Sequence, residues 1–150
     1  MFVQEHWLPS FNLDSLYNYS DAMLCYASSA MEEVISAEVL RCRPFGRVAI
    51  FVKTSLCAGV KLICKNSRFI ITQLGDLILV NVYLPCPGAN NWDNEYVNCL
   101  ALIANKLCEL DYKNLIFGGN LNTDFARFHP MRSSIMDFFS DLGLRLTATV

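Results

Sequence analysis

A strand-like segment followed by a polar loop lies at Leu115-Ile116-Phe117-Gly118-Gly119-Asn120-Leu121-Asn122-Thr123-Asp124. The three leading apolar residues predict a short strand that runs into two glycines. Glycines after a strand let the backbone turn sharply and approach a ligand closely, because they carry no Cβ. Polar side chains at the carboxyl end of a core strand are where layered α/β folds usually place their chemistry. The alternative is an ordinary turn, in which Asn and Asp serve turn geometry.

The composition bounds the class of protein. With 150 residues, 53% hydrophobic and 17% charged, the chain is expected to form one globular domain over residues 1–150. It has no apolar run long enough to cross a membrane and no signal-peptide pattern. A net charge of −2 lacks the positive excess that is typical of nucleic-acid-binding domains, taken over the whole chain. Seven cysteines without C-x-x-C spacing predict buried thiols in a reducing, intracellular compartment rather than a zinc or disulfide framework.

The middle of the chain predicts strands. A short strand is expected at residues 2–5, and the apolar run at 48–52 is typical of a strand buried on both faces. Further strands are expected at residues 60–64, 68–74 and 76–84. The turns between these three are too short for a parallel crossover, so the strands must be antiparallel. Residues 18–46 give no clear pattern beyond loop-like stretches and a strand margin.

Helical spacing of apolar residues marks the remaining elements. It predicts a short helix capped by Ser10, and two longer helices whose apolar faces are Tyr96, Cys99, Leu100, Ile103 and Leu107 in one and Ile135, Phe138, Phe139 and Leu142 in the other. Gly143 stands at the position of a helix C-cap, and residues 144–150 are strand-like. Strands in a meander with helices between the others predict an α+β layered fold, with helices outside antiparallel sheet.

Four motifs in order carry a family resemblance. They are Val3-Gln4-Glu5-His6-Trp7-Leu8, Arg43-Pro44-Phe45-Gly46-Arg47-Val48-Ala49-Ile50, Val80-Asn81-Val82-Tyr83-Leu84-Pro85 and Gly118-Gly119-Asn120-Leu121-Asn122-Thr123-Asp124. Together they resemble the endonuclease/exonuclease/phosphatase superfamily, to which DNase I and exonuclease III belong. The first motif and the Ser29-Ala30-Met31 stretch are most similar to the endonuclease domain of LINE-type (non-LTR) retrotransposons.

This resemblance implies a fold and an activity. The fold would be a four-layer α/β sandwich of the DNase I-like type, and the activity Mg²⁺- or Mn²⁺-dependent hydrolysis of phosphodiesters. For the retrotransposon branch it implies nicking of target DNA in the nucleus or cytoplasm, by a domain fused to or derived from a reverse transcriptase. The partner implied is therefore DNA, with no membrane.

The resemblance also assigns site residues. Glu5 would be the metal ligand, since a carboxylate is a hard oxygen donor suited to Mg²⁺. The Tyr83 hydroxyl would reach the phosphate, and Asn122 would bind the phosphate or position the nucleophile. The alternatives are a solvated strand-end acid at Glu5, an amphipathic core tyrosine at Tyr83 and, for Thr123 and Asp124, a local turn.

Asn120 departs from the family pattern. Relatives carry an Asp at this catalytic position, which takes a proton from the attacking water. An amide cannot ionise and so cannot be the general base. Loss of a positioned base typically costs on the order of 10²–10⁴-fold in rate.

The ends of the sequence depart as well. The catalytic Asn that precedes the Gln-Glu motif in relatives has no counterpart here, and neither does their closing Ser-x-x-Asp-His motif. The resemblance therefore predicts a partial domain with terminal strands missing. His6 and His129 stand in other contexts, and we interpret both as loop residues rather than catalysts. Arg47 occupies a position where relatives carry glycine, which predicts a strained or altered turn.

Three functions remain open at this level. The first is a truncated, inactive or weakly active endonuclease domain derived from a retrotransposon. The second is an active metal-dependent phosphodiesterase or phosphatase of the same superfamily, with Asp124 as a compensating acid. The third is a non-catalytic binding module that retains the fold, for which the sequence shows no basic stripe or aromatic stacking platform.

Overall fold

The structure is a computed structural model that describes residues 1–6, 8–29, 47–88 and 91–147. Parts of three predictions lie outside these ranges. The first is the retrotransposon resemblance, of which Trp7 and Ala30-Met31 are not described. The others are the Arg43–Gly46 part of the second motif and residues 148–150 of the last expected strand. The chain divides into two compact units. The first comprises Met1–Tyr83 with Tyr112–Leu121, and the second comprises Leu84–Asp111 with Asn122–Val150.

The first unit contains two sheets. One has the order β1-β3-β2, with all strands antiparallel, and is formed by β1 (Phe2–Gln4), β2 (Met23–Ala27) and β3 (Val48–Lys53). The other has the order β4-β5-β6-β7 and is formed by β4 (Val60–Lys65), β5 (Phe69–Leu74), β6 (Leu77–Tyr83) and β7 (Asn114–Asn120). The antiparallel meander of β4, β5 and β6 is confirmed.

The strand β7 differs from the prediction in two ways. It pairs parallel to β6, so the second sheet is mixed rather than antiparallel. A parallel pair needs a long crossover, and the chain between β6 and β7 contains a helix that supplies it. It is also an edge strand among the described strands, with Ile116 51% exposed, rather than a fully buried core strand.

The glycines lie inside β7 rather than after it, which corrects the predicted sharp turn. A Cβ on Gly119, whose φ is 128°, would lie 2.1 Å from the carbonyl oxygen of Val82. A Cβ on Gly118 would lie 3.1 Å from the Phe2 ring. Close approach of backbone atoms therefore requires glycine at position 119, and so does the backbone angle there. At position 118 a Cβ would need the Phe2 ring to shift by a few tenths of an ångström.

The strand β3 lies at the centre of the first unit. Val48, Ile50 and Val52 pack in a cluster with Ile70 and Tyr83 of the other sheet. The alternate residues of β3 pack with Leu13 and neighbouring apolar side chains on its opposite face. Since successive side chains in a strand point to opposite faces, burial on both sides explains the continuous apolar run, as predicted.

The segment before β2 is helical as expected, but Ser10 does not cap it. A 3₁₀ turn at Ser10–Asn12 leads into α1 (Asp14–Tyr17), and no side-chain bond caps either one. A second 3₁₀ helix covers Thr54–Gly59. The strand β2 falls where the sequence shows no clear pattern, because the run Met23-Leu24-Cys25-Tyr26-Ala27 lacks a clean alternation of apolar and polar residues.

The second unit contains two helices, α2 (Trp92–Cys108) and α3 (Arg132–Asp141). All five apolar-face residues predicted for α2 are buried, and so are Ile135, Phe138 and Phe139 of α3. Gly143 follows α3 with a φ of 64°, as a helix C-cap glycine does. Residues 144–147 form no strand, contrary to expectation. The α+β class is confirmed, whereas the four-layer arrangement and the single-domain assignment stay predictions.

Cysteine placement corrects another expectation. Of the six cysteines within the described ranges, none of which forms a disulfide there, Cys25 and Cys99 are buried, two are partly buried and two are exposed. The prediction that most cysteines are buried is therefore wrong for these six. Within the same ranges, no helix is long and apolar enough to cross a membrane.

Candidate functional site

The structure brings together two of the predicted site residues at neighbouring strand ends. Tyr83 ends β6, Asn120 ends β7, and the two are direct partners in the parallel ladder. Partners in a parallel ladder present their side chains on the same face of the sheet. Tyr83 is 8% exposed and packs in the cluster between the two sheets, as the core-tyrosine alternative predicts. Whether its hydroxyl also contacts a phosphate stays a prediction.

A buried amide ties this edge to the other sheet. Asn81 is fully buried and donates from Nδ2 to the carbonyl oxygens of Val3 (3.0 Å) and Ala49 (2.9 Å). Its Oδ1 accepts a hydrogen bond from Nε2 of Gln4 at 2.7 Å. Asn81 lies two residues before Tyr83, so this network fixes the end of β1 against the end of β6.

Glu5 directly follows the part of β1 that Asn81 holds. Its φ of 55° places it in the left-handed region, which costs a residue with a Cβ roughly 1–2 kcal/mol. Its N–H donates to the carbonyl oxygen of Arg47 at 2.8 Å, which continues the pairing with the chain before β3. Among these two residues, the positive φ is at Glu5 and not at Arg47. The turn that leads into Arg47 lies outside the described residues, so its predicted strain or altered shape stays a prediction.

Glu5 is the acid that could hold a metal in this part of the molecule. No group of three or more His, Cys, Asp or Glu side chains is assembled among the described residues. Mg²⁺ is commonly held by one or two carboxylates, with waters and substrate phosphates completing its coordination. Glu5, a partly buried residue, would supply one such carboxylate, and its role as a metal ligand stays a prediction.

The neutral form of His6 is held by backbone contacts. Nδ1 of His6 accepts the N–H of Leu8 at 3.2 Å, and Nε2 lies 3.0 Å from the carbonyl oxygen of Ser28, to which it donates in this tautomer. Burial lowers the pKa of His6, as does the nearby charge of Arg47, although the bond to Ser28 opposes this. Both ring nitrogens are thus engaged, which agrees with the interpretation of His6 as a loop residue.

Asn122 lies in the polar loop after β7, at the point where the chain enters the second unit again. Its φ is 46°, and its Nδ2 donates to the carbonyl oxygen of Leu84. This bond occupies one amide hydrogen in holding the loop. The role of Asn122 toward a phosphate stays a prediction.

Thr123 and Asp124 both form hydrogen bonds within the second unit. The Thr123 hydroxyl lies 2.7 Å from the hydroxyl of Tyr96, and burial raises the pKa of Tyr96 to about 12 despite this bond. Oδ1 of Asp124 accepts the N–H groups of Ala126 (2.8 Å) and Arg127 (3.0 Å), a geometry typical of an Asx turn. This agrees with the turn interpretation of Asp124, whereas Thr123 bonds to a helix side chain rather than to a turn.

Sequence analysis did not single out Asn81 as a site residue. The available signal was one amide inside the otherwise apolar β-strand Leu77–Tyr83. A buried polar side chain needs hydrogen-bond partners, so such a residue predicts a specific polar network, although not which groups it joins.

Comparison with known proteins gives similarity to solved structures only. No protein-family model matches the chain, and no curated protein sequence does. A crystal structure of D. rerio TDP2, humanized by 14 mutations, is similar at 17% identity with a TM-score of 0.48, over 95% of this chain and 56% of that one. Two crystal structures of TDP2 from C. elegans, one of them with selenomethionine, give 15% and 16% identity and TM-scores of 0.46 and 0.45. Each covers 82% of this chain and 37% of the other chain.

This chain therefore spans less than two thirds of the length of each of these structures.

Replacing the buried amide tests whether it holds the site. We expect Asn81→Ala to lower the free energy of unfolding by about 3 kcal/mol, because three hydrogen bonds worth about 1 kcal/mol each are lost. Urea denaturation measures this change. Asn114→Ala, at an exposed position in β7, is the matched control and should change stability by less than about 0.5 kcal/mol. Equal effects of the two substitutions would contradict a structural role for the network.

The lowered pKa of His6 predicts a dependence of stability on pH. The unfolded chain takes up a proton on His6 at a higher pH than the folded protein does. This contribution to stability is therefore fully present above the ordinary pKa of 6.5 and is lost as pH falls through the lower folded-state pKa. We expect the urea-unfolding free energy of the wild type to fall more between pH 8 and pH 5 than that of His6→Asn, which cannot titrate. Identical pH profiles would contradict the assignment.

Proposed function

We propose that the chain is a DNA phosphodiesterase domain, derived from the endonuclease of a non-LTR retrotransposon, whose hydrolytic step is lost or strongly weakened. One observation carries the proposal. Tyr83 and Asn120 are paired at adjoining strand ends, and the Gln4–Asn81 bond fixes the end of β1, where Glu5 follows, to the same strand. The parts of these motifs that lie in β1, β3, β6 and β7 thus occupy neighbouring elements of the first unit.

Each residue has a role that its chemistry allows. Glu5 would hold Mg²⁺ or Mn²⁺, which would polarise the scissile phosphate and offset negative charge developing on it. The Tyr83 hydroxyl and the Asn122 amide are both able to donate hydrogen bonds to phosphate oxygens. Asn120 can orient a water molecule through its amide but cannot remove a proton from it.

The alternative of an active enzyme with Asp124 as the base has little support. One oxygen of the Asp124 carboxylate already accepts two backbone N–H groups of its own loop. His6 is a second residue that could serve as a base, but both of its ring nitrogens are already engaged by backbone groups. A non-catalytic binding function has a separate observation in its favour, which is the exposed aromatic ring of Phe128 in the second unit.

Retrotransposon origin implies a nuclear or cytoplasmic DNA target and a reverse transcriptase encoded with the domain. These parts of the proposal depend on the motif resemblance alone. A reverse-transcriptase reading frame in the adjoining genomic DNA would support them.

A plasmid-nicking assay tests the weakened chemistry. We expect no nicking of supercoiled plasmid above background with Mg²⁺ or Mn²⁺, because the group at position 120 cannot ionise. Asn120→Asp should raise the rate by less than about tenfold, since catalytic groups that act as a unit are far from additive.

Glu5→Gln, purified in parallel, controls for contaminating nucleases. EDTA-sensitive nicking by the wild type that disappears in Glu5→Gln would overturn the proposal of weakened hydrolysis. A rescue of a thousandfold by Asn120→Asp would show instead that the base is the only group missing.

A further inference from the structure

The second unit exposes an aromatic and basic surface that the proposed phosphodiester chemistry does not use. Phe128 is 93% exposed, and the side chain of the adjacent Arg127 is 88% exposed. Burial of a phenylalanine stabilises a folded protein, and an almost fully exposed Phe128 gains little of that stabilisation. A single exposed apolar side chain is ordinary, so the surroundings of Phe128 decide whether it has a role.

Phe128 lines a cavity of about 380 Å³, together with His129, Pro130, Arg132, Ser133 and Met136. Cavities that bind small ligands measure roughly 300–1,000 Å³, which puts this one at the size of a small planar group with a substituent. Its lining combines an aromatic ring and apolar groups with a guanidinium, an imidazole and a hydroxyl. Such a lining suits a ligand that is flat on one part and anionic on another.

The imidazole in this cavity is fixed before any ligand binds. Nδ1 of His129 accepts the N–H of Met131 at 3.2 Å, so the neutral ring carries its proton on Nε2. The ring also packs edge-on to Trp92, with 6.1 Å between centroids. Because both contacts set the orientation of the ring, Nε2 is a preorganised hydrogen-bond donor.

Two arginines lie beside Phe128, and one of them has no acidic partner. Nε of Arg127 lies 4.0 Å from the Asp124 carboxylate, whereas Arg132 forms no ion pair among the described residues. Residues 125–136 contain no acid, although Asp124 and Asp137 flank them. The Arg132 guanidinium is therefore available to pair with an anionic ligand. We name the surface formed by Arg127, Phe128, His129 and Arg132 the Phe128 patch.

We propose that the Phe128 patch binds single-stranded nucleic acid, with a base stacked on Phe128 and an adjoining phosphate held by Arg132 and Arg127. This inference deepens the proposed function and depends on its assignment of DNA as the partner. Stacking on an aromatic side chain tolerates any base, whereas bases within a duplex are already stacked on one another. An acidic, apolar protein segment is the competing occupant, and it would use the same charges without needing unstacked bases.

Fluorescence anisotropy with the full chain tests the patch in EDTA, so that neither a metal nor hydrolysis is involved. The probes are a labelled oligothymidylate, an abasic oligomer of the same length and the corresponding duplex. We expect the wild type to prefer the oligothymidylate to both of the others. Phe128→Ala should weaken that binding by roughly 5–100-fold, and Phe128→Trp should preserve it. Arg127→Gln and Arg132→Gln should each reduce the slope of log affinity against log salt by about 1.

Two variants serve as matched controls. Phe11 is 72% exposed in the first unit, and Phe11→Ala should leave binding unchanged. Arg145 is exposed and does not line the cavity, so Arg145→Gln should not alter the salt slope beyond a small general effect.

The proposal is overturned if Phe128→Ala binds the oligothymidylate as tightly as the wild type does. It is equally overturned if the abasic oligomer or the duplex binds as tightly as the oligothymidylate, since stacking would then contribute nothing. Plasmid nicking by the wild type would refute the weakened chemistry but leave this result untouched. The failure of one proposal is therefore distinguishable from the failure of the other.

Discussion

The side-chain amide of Asn81 links the two sheets of the first unit through three hydrogen bonds. It contacts the carbonyls of Val3 and Ala49 and the side chain of Gln4, so β1, β3 and β6 share one buried polar centre. Apolar packing between the sheets supplies a non-directional attraction that would tolerate several alignments. The amide requires one alignment, because any other would leave it buried without partners. Because Glu5 follows Gln4 and Tyr83 lies two residues after Asn81, this alignment also fixes where both residues lie.

A scaffold and its chemistry depend on different residues here. The close approach at Gly119, the alternate faces of β3 and the Asn81 network all support the sheets, and none of them requires an acid at position 120. Under the proposed function, Asn120 stands where the resemblance implies a carboxylate of nearly the same size. The pairing of Asn120 with Tyr83 is made by the backbone, so it does not depend on whether that side chain can act as a base. Selection on folding would preserve the first set of residues whether or not hydrolysis is retained.

Local patterns in the sequence predict the parts of the fold that depend on local physics. The run at Val48–Val52 indicates a strand buried on both faces, and helical spacing identifies the buried face of α2. The parallel pairing of β7 depends on where the chain returns after α2, which no local pattern encodes. The partners of Asn81 and the cavity beside Phe128 likewise arise from residues distant in sequence or from loop conformation. The family motifs predict that Tyr83 and Asn120 lie close together. They do not predict the left-handed backbone of Glu5 or its hydrogen bond to the carbonyl of Arg47.

Paramagnetic broadening by Mn²⁺ in an amide NMR spectrum tests most directly whether these elements form one metal-binding site. Substoichiometric Mn²⁺ should broaden the amide signals of Glu5 and His6 first, together with those at the ends of β6 and β7. Glu5→Gln should abolish this selective broadening, since its amide is a far weaker ligand than a carboxylate. Broadening that is uniform, or that centres on acids elsewhere and persists in Glu5→Gln, would contradict the shared site.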